Sequence, residues 1–286
     1  MNKKNQNKVK KLLIERTILI VCAAIICWSA FFAFGKHYRK KSIANANAAQ
    51  KKAVAQVNTK KNKHHNSKKD KYKHQIASLV PGDWEPWRAD NANTKKVAYL
   101  TFDDGPSINT TKILDILNAN GIKATFFLIG QNAERNPNLV KLEIQNGESI
   151  GNHTYSHNIR YNESPDLFVA DVNKCDSVLK SIAGDKYTPK LVRFPGGSFG
   201  KRLAPFRDAM KNNGYTFVDW NDENGDAEHP LVSVDGLMNN IKRYTGDQKT
   251  IVVLMHDAPA KTTTVQALPQ IIQYLKSLGY SFDKIS

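Results

Sequence analysis

The sequence predicts an α/β fold: about seven parallel strands wrapped by helices into a barrel, preceded by one transmembrane helix and a basic stem. Three observations predict it. Short apolar runs alternate with longer amphipathic ones from Lys95 to the C-terminus, the pattern of a parallel sheet covered by helices. Polar residues gather where five of these strands end. Parallel barrels place their sites on that face, whereas an open doubly wound sheet offers one crevice. Lastly, the positive charge is confined to one end of the chain.

The 286 residues carry a formal net charge of +16. Residues 1–73 hold 19 Lys and Arg against Glu15 and Asp70, a net of +17, and the remaining 23 bases and 24 acids net −1. A basic chain suggests nucleic acid or an anionic membrane as partner. The neutral body argues against nucleic acid, and the charge describes the arm. Three cysteines exclude a disulfide scaffold. A hydrophobic content of 41% excludes a wholly disordered chain.

Residues 17–34 (TILIVCAAIICWSAFFAF) contain no charge and would span about 27 Å as a helix. Residues 1–16 are a basic head. An uncleaved anchor and a removed signal peptide compete here. Phe31, Phe32 and Phe34 make Ala33-Phe34-Gly35 a poor cleavage site, which favours the anchor. Positive residues flank the run equally, so the charge rule alone does not orient it. A short basic head before the first apolar run puts the N-terminus inside. The expectation is a single-pass cell-membrane protein with its body, residues 76–286, extracellular. Residues 35–75, rich in Lys, Asn, Ala and Gln, read as a solvated spacer, or as a stem lying on anionic lipid or wall polymer. His64-His65 has no third ligand nearby.

In the body, strands are expected at 97–102, 124–129, 148–152, 191–194, 216–220, 250–255 and 280–285. Helices are expected at 110–120, 138–145, 165–183, 205–213, 234–244 and 265–278. The first helix carries Ile113, Leu114, Ile116 and Leu117 on one side and stops at Gly121. Cys175 falls on an apolar helix face and reads as core. Trp84 and Trp87 read either as sugar-stacking residues or as aromatic plugs. After the first strand, Asp103-Asp104-Gly105-Pro106 offers carboxylates and a rigid turn, which would repel a phosphate.

His153 and His157 are four residues apart. On an extended strand they would lie roughly 13 Å apart; in a helical turn they share a face. The strand must therefore turn near Asn152. Two imidazoles and one carboxylate leave coordination positions open for water and substrate, as catalytic zinc sites do. Asp103 and Asp104 project in different directions, so one can bind metal while the other stays free as a base. Two acids ending a strand also suit a helix N-cap, a role open to Ser107 or Asn109.

Thr101-Phe102-Asp103-Asp104-Gly105-Pro106 and His153-Thr154-Tyr155-Ser156-His157 resemble the first two motifs of the polysaccharide deacetylases (NodB homology, carbohydrate esterase family 4). Arg193-Phe194-Pro195-Gly196-Gly197 resembles the third and Leu254-Met255-His256-Asp257 the fifth. The resemblance covers 95–286. It implies a distorted barrel and a divalent metal, zinc or cobalt foremost, with removal of acetyl groups from N-acetylated sugars or acetylated xylan. By position it makes Asp103 the general base and Asp104, His153 and His157 the metal ligands. Arg193 would hold Asp103, and His256 would be the general acid. Pro195, Gly196, Trp220 and Leu254 would line the substrate site. The fourth motif departs from the family at Trp220 to Ala227. Asp226 is taken as the partner of His256, with Asp222 and Glu223 as alternatives. Gly196 stands where many members carry an aromatic. The implied activity is a metal-dependent N-deacetylase of a surface polymer containing GlcNAc (N-acetylglucosamine), peptidoglycan first. Chitin-type oligosaccharides, exported poly-GlcNAc, acetylxylan and a silent wall-binding module are the alternatives.

Overall fold

The computed structural model describes residues 82–88, 95–188 and 190–285. The expected head, membrane segment and stem lie outside the described residues. Among the described residues no helix is long and apolar enough to cross a membrane. The chain divides between Tyr72 and Lys73, and the structure describes residues of the second unit alone.

The strands are β1 (Gly82–Asp83), β2 (Lys96–Asp103), β3 (Thr125–Leu128), β4 (Ser149–Asn152), β5 (Leu191–Val192), β6 (Thr216–Phe217), β7 (Asp222–Glu223), β8 (Thr250–His256) and β9 (Tyr280–Asp283). The helices are α1 (Thr110–Asn120), α2 (Gly130–Arg135), α3 (Pro137–Gln145), α4 (Pro165–Ala183), α5 (Ala204–Asn212), α6 (Val234–Thr245) and α7 (Thr262–Ser277). Every strand pairing is parallel, in the order β1-β6-β5-β4-β3-β2-β8-β7. β9 pairs the first half of β2, on Lys96–Tyr99. β3 pairs its last residues, Thr101–Asp103. Among the described residues the ladder ends at β1 on one side and β7 on the other, so the distorted barrel is there a curled sheet with a seam and not a closed cylinder. The two strands beyond the expected seven, β1 and β7, are two residues each and carry no apolar period that a sequence could reveal.

Alternation along β2 and β8 sorts side chains between two layers. Ala98, Leu100 and Phe102, with Ile251, Val253 and Met255, face the helices and pack with Ile113 and Leu117 of α1 and Ile271 and Leu275 of α7. Burying each such side chain contributes roughly 1.5–3 kcal/mol. A second cluster holds α4 and α5 against β5 and β6 through Phe168, Phe206, Val192 and Phe217. The lumen is filled by Phe127, Leu191, Val218, Val252 and Ile285, with Trp84, Trp87, Tyr99 and Trp220 packed against them. These come from strands far apart in the sheet order, which is how the curl shows itself. Trp84 sits edge-on to Tyr99 with centroids 5.5 Å apart, so Trp84 and Trp87 are plugs. The turn Pro86–Arg88 that follows β1 reaches β8 and covers the seam.

Candidate active site

Tyr99, Thr101 and Asp103 occupy the lumen-facing positions of β2, and Val252, Leu254 and His256 those of β8. The register pairs Asp103 directly with His256. Two ionisable groups thus stand side by side at the carboxyl ends of adjacent strands, about 4.8 Å apart along the ladder.

Beyond Asp103 the chain turns sharply. Asp104 has φ 73°, a left-handed conformation uncommon for residues other than glycine. Its Oδ1 lies 3.2 Å from His157 Nε2 and 3.6 Å from His153 Nε2. The three ligand atoms fall within 4.8 Å of one another. The His153 ring is fixed by a contact of 2.9 Å from Nδ1 to the Arg193 carbonyl, which places the proton on Nδ1 and presents a bare Nε2. Burial, against the opposing charge of Asp104, holds His153 down to about 3, so the imidazole is neutral. Asp104 Oδ1 is buried and has no hydrogen-bond partner. A carboxylate oxygen without a donor, facing two imidazole nitrogens, fits a divalent cation with coordination positions to spare.

The turn between the histidines is not the helical turn that their spacing suggested. β4 does end at Asn152, but Thr154 (φ 68°) and His157 (φ 56°) are left-handed. Three of the four such residues outside glycine among those described therefore belong to this cluster, at a cost of about 1–3 kcal/mol each. Side chains hold the strain. Asn152 Oδ1 accepts from Thr154 N, and Asn152 Nδ2 donates to Val172 O and Asp176 Oδ1. Thr154 Oγ1 accepts from His157 N at 2.8 Å. Asp171 Oδ2, on α4, accepts from the backbone N–H groups of Tyr155 and Ser156 at 2.9 and 3.0 Å.

Arg193 is fully buried. Its Nη1 donates to Asp103 Oδ1 at 2.9 Å and to Thr101 Oγ1 at 2.6 Å. Nε and Nη2 donate to the carbonyls of Val218 and Asp219, and the guanidinium lies over the Phe127 ring. Arg193 thus holds the Asp103 carboxylate. Burial raises that carboxyl above the ordinary carboxylate value, against the pull of Arg193 and His256. A raised pKa makes Asp103 a stronger proton acceptor than an exposed carboxylate.

Asp226 is the acid that reaches His256. Its Oδ1 meets His256 Nδ1 at 2.6 Å, and its Oδ2 accepts from His256 N and Thr264 Oγ1. The two alternatives are engaged elsewhere: Asp222 accepts from Thr245 and Glu223 from Trp220 Nε1. Burial alone would lower His256; the bond and charge of Asp226 outweigh it and push the imidazole up to about 9. Desolvation likewise opposes ionisation of Asp226, and His256 overcomes it, leaving that carboxyl below its ordinary value.

Among the expected substrate residues, Leu254 is buried on the lumen face opposite Thr101. Trp220 is half-buried against the lumen cluster. Pro195 is buried. Gly196 is exposed, with φ 73° and open space where a side chain would stand. The capping role open to Ser107 or Asn109 is not filled by either, since Asn109 precedes α1 without a capping bond from its side chain. Instead Ser107 Oγ and Thr110 Oγ1 donate to Asp257. Sequence reasoning missed Asp171 and Thr264, because an acid or a threonine inside a helix carries no local mark of its distant partner, and it placed Asp257 in the fifth motif without giving it a role.

A model of the polysaccharide deacetylase family matches residues 90–218. A peptidoglycan-N-acetylglucosamine deacetylase of Bacillus cereus is 34% identical over 198 residues, covering 68% of this chain and 70% of that protein. The chain belongs to the polysaccharide deacetylase family. A second Bacillus cereus protein of the same description is 36% identical over 225 residues, with 74% and 78% covered. The solved structure of a Streptococcus mutans family 4 esterase superposes with a TM-score of 0.61 at 32% identity, covering 67% of this chain and 87% of that one. The protein is accordingly a deacetylase, and Asp104, His153 and His157 form a site able to hold the metal on which polysaccharide deacetylases depend.

Proposed function

We propose that this deacetylase removes N-acetyl groups from GlcNAc residues of a cell-surface polysaccharide, peptidoglycan first. The observation that carries the reading is the Asp103–His256 pair at the edge of the Asp104, His153, His157 cluster. The names of the Bacillus cereus relatives support the choice of substrate. A divalent cation held by the three ligands, zinc first and cobalt next, supplies Lewis-acid polarisation and acidifies water near neutral pH.

The chain's own groups divide the remaining work. Asp103 spends Oδ1 on Arg193 and keeps Oδ2, 3.7 Å from His153 Nε2, to take the proton of the attacking water. His256, bound to Asp226 through Nδ1, is protonated at pH 7 and offers Nε2–H to the departing amine, which leaves poorly without it. The Gly196 N–H donates to the oxyanion, a contribution of about 3–4 kcal/mol per donor. Leu254 and Trp220 shape the wall that receives the acetyl group and its sugar. Residues 17–34 anchor the protein in the cell membrane, residues 35–75 form the stem, and residues 76–286 act outside.

The test incubates the purified full-length chain with peptidoglycan, chito-oligosaccharides and acetylxylan and measures acetate, with and without a chelator. Chelator-sensitive release from peptidoglycan is expected. Release from acetylxylan alone would move the reading to an ester substrate. No release on any substrate after metal is restored would leave a wall-binding module.

A further inference from the structure

Five large apolar side chains are exposed among the described residues: Ile108, Tyr161, Leu167, Phe199 and Leu231. All five lie in segments that follow the carboxyl end of a strand, the end that carries Asp103 and His256. Of the five, Phe199 is the one that packs against an expected substrate residue, Trp220. Phe199 is 51% exposed, yet the residues on both sides are fixed. Ser198 donates from N and Oγ to the Asp219 carboxylate at 2.8 and 2.7 Å. Arg207 Nη1 donates to the carbonyls of Ser198 and Gly200. The ring folds back over Gly197, where φ is +86° and a Cβ would come within 2.4 Å of it. Its edge-to-face partner is Trp220, with centroids 5.4 Å apart and planes at 84°. Trp220 in turn lies 5.7 Å from the Arg193 guanidinium, which holds Asp103.

An exposed phenyl ring gains nothing from water, and a loop that orders it bears an entropic cost. Rigid presentation of an aromatic face beside open space at Gly196 is what a flat apolar ligand requires. The apolar C–H face of a pyranose ring has that shape. Trp220 stands between Phe199 and the reacting centre, so the sugar on Phe199 is a neighbour of the one that loses its acetyl group. We infer that Phe199 is a stacking platform for a second pyranose of the glycan, and that it makes the enzyme prefer chains to short substrates. This rests on the reading given under Proposed function.

The experiment compares wild type, Phe199→Ala, Phe199→Leu and Phe199→Tyr in the metal-loaded full-length protein. Acetate release is followed on chitopentaose and on vinyl acetate, which has no ring. Binding of chitopentaose is measured separately by calorimetry. The Ala and Leu variants should raise KM for chitopentaose about tenfold with kcat within about twofold, and leave vinyl acetate hydrolysis as it was. The Tyr variant, which keeps the flat face, should retain wild-type KM. Leu preserves the apolar bulk, so it reports on the platform even where Ala unsettles the loop. Unchanged KM and unchanged chitopentaose binding in both variants would overturn the platform. So would equal losses on chitopentaose and vinyl acetate. A wild type that releases no acetate from glycans, yet binds chitopentaose through Phe199, would overturn the proposed function and keep the platform.

Discussion

His256 and Asp226 form a pair whose two shifts have opposite signs. The imidazole stands at about 9 and the carboxyl below its ordinary value, so at pH 7 both are charged. As a proton donor His256 must be protonated, which puts the alkaline limb of kcat/KM near pH 9. Asp226→Asn removes the largest support of the charge and leaves burial opposed only by Asp103 and Asp104, so that limb should fall from about 9 toward the ordinary histidine value of 6.5; a pH–rate profile reads it directly. The pair also contributes to stability. The Asp226 share is present above the ordinary carboxylate range and fades as pH falls through its lowered pKa. The His256 share is complete below 6.5 and fades as pH rises through about 9. Asp103 offers a different test. Asp103→Asn should keep metal stoichiometry and lower kcat by about 10²–10⁴. Metal analysis beside turnover checks it, and loss of metal would exchange the roles of Asp103 and Asp104.

The segment His153–His157 depends on α4 for its shape. Asp171 Oδ2 accepts from both the Tyr155 and the Ser156 N–H groups. Asp171→Ala should weaken metal affinity about 10- to 100-fold while saturating metal restores kcat; a competition titration with a chelating dye measures the first. β4 makes a stricter demand. A Cβ at Gly151 would fall 2.4 Å from the Phe127 ring, and that ring lies under Arg193. Gly151→Ala should cost about 1–3 kcal/mol in a urea melt and lower activity as Arg193 shifts. Elements of this kind also mark how far the sequence could be read. α1 and α4 were legible to the residue, because an apolar stripe, Gly121 and the Ser164-Pro165 start all agree. α2 was not, because its six residues bury only Gly130 and Ala133. The shape of the histidine turn was hidden for a similar reason. It is imposed by Asn152 and Asp171 through contacts that no local pattern records.

At the scale of the molecule the sheet brings to one end what the sequence scatters from Asp103 to His256. That convergence was legible, since parallel strands align their carboxyl ends. The seam was not, since β1 and β7 are too short to show a period. Three left-handed residues and an unpartnered Asp104 oxygen make this end the strained part of the body, and a bound cation should offset the strain. At a hundredfold excess over Kd, binding adds about 2.7 kcal/mol. A melting curve should therefore rise by roughly 5–10 °C on adding zinc to chelator-treated protein, and an unchanged curve would count against the site. The seam has a mechanical consequence. Tension applied to the chain before Gly82 enters the body at β1, a strand of two residues held through Gly82 N to Tyr215 O and Trp84 N to Phe217 O. Next in the chain, after the turn at Pro86–Arg88, comes β2, which carries Asp103. β1 is thus a fuse: under load it peels from the edge first, and the strand bearing the base feels the pull only after that fuse has opened.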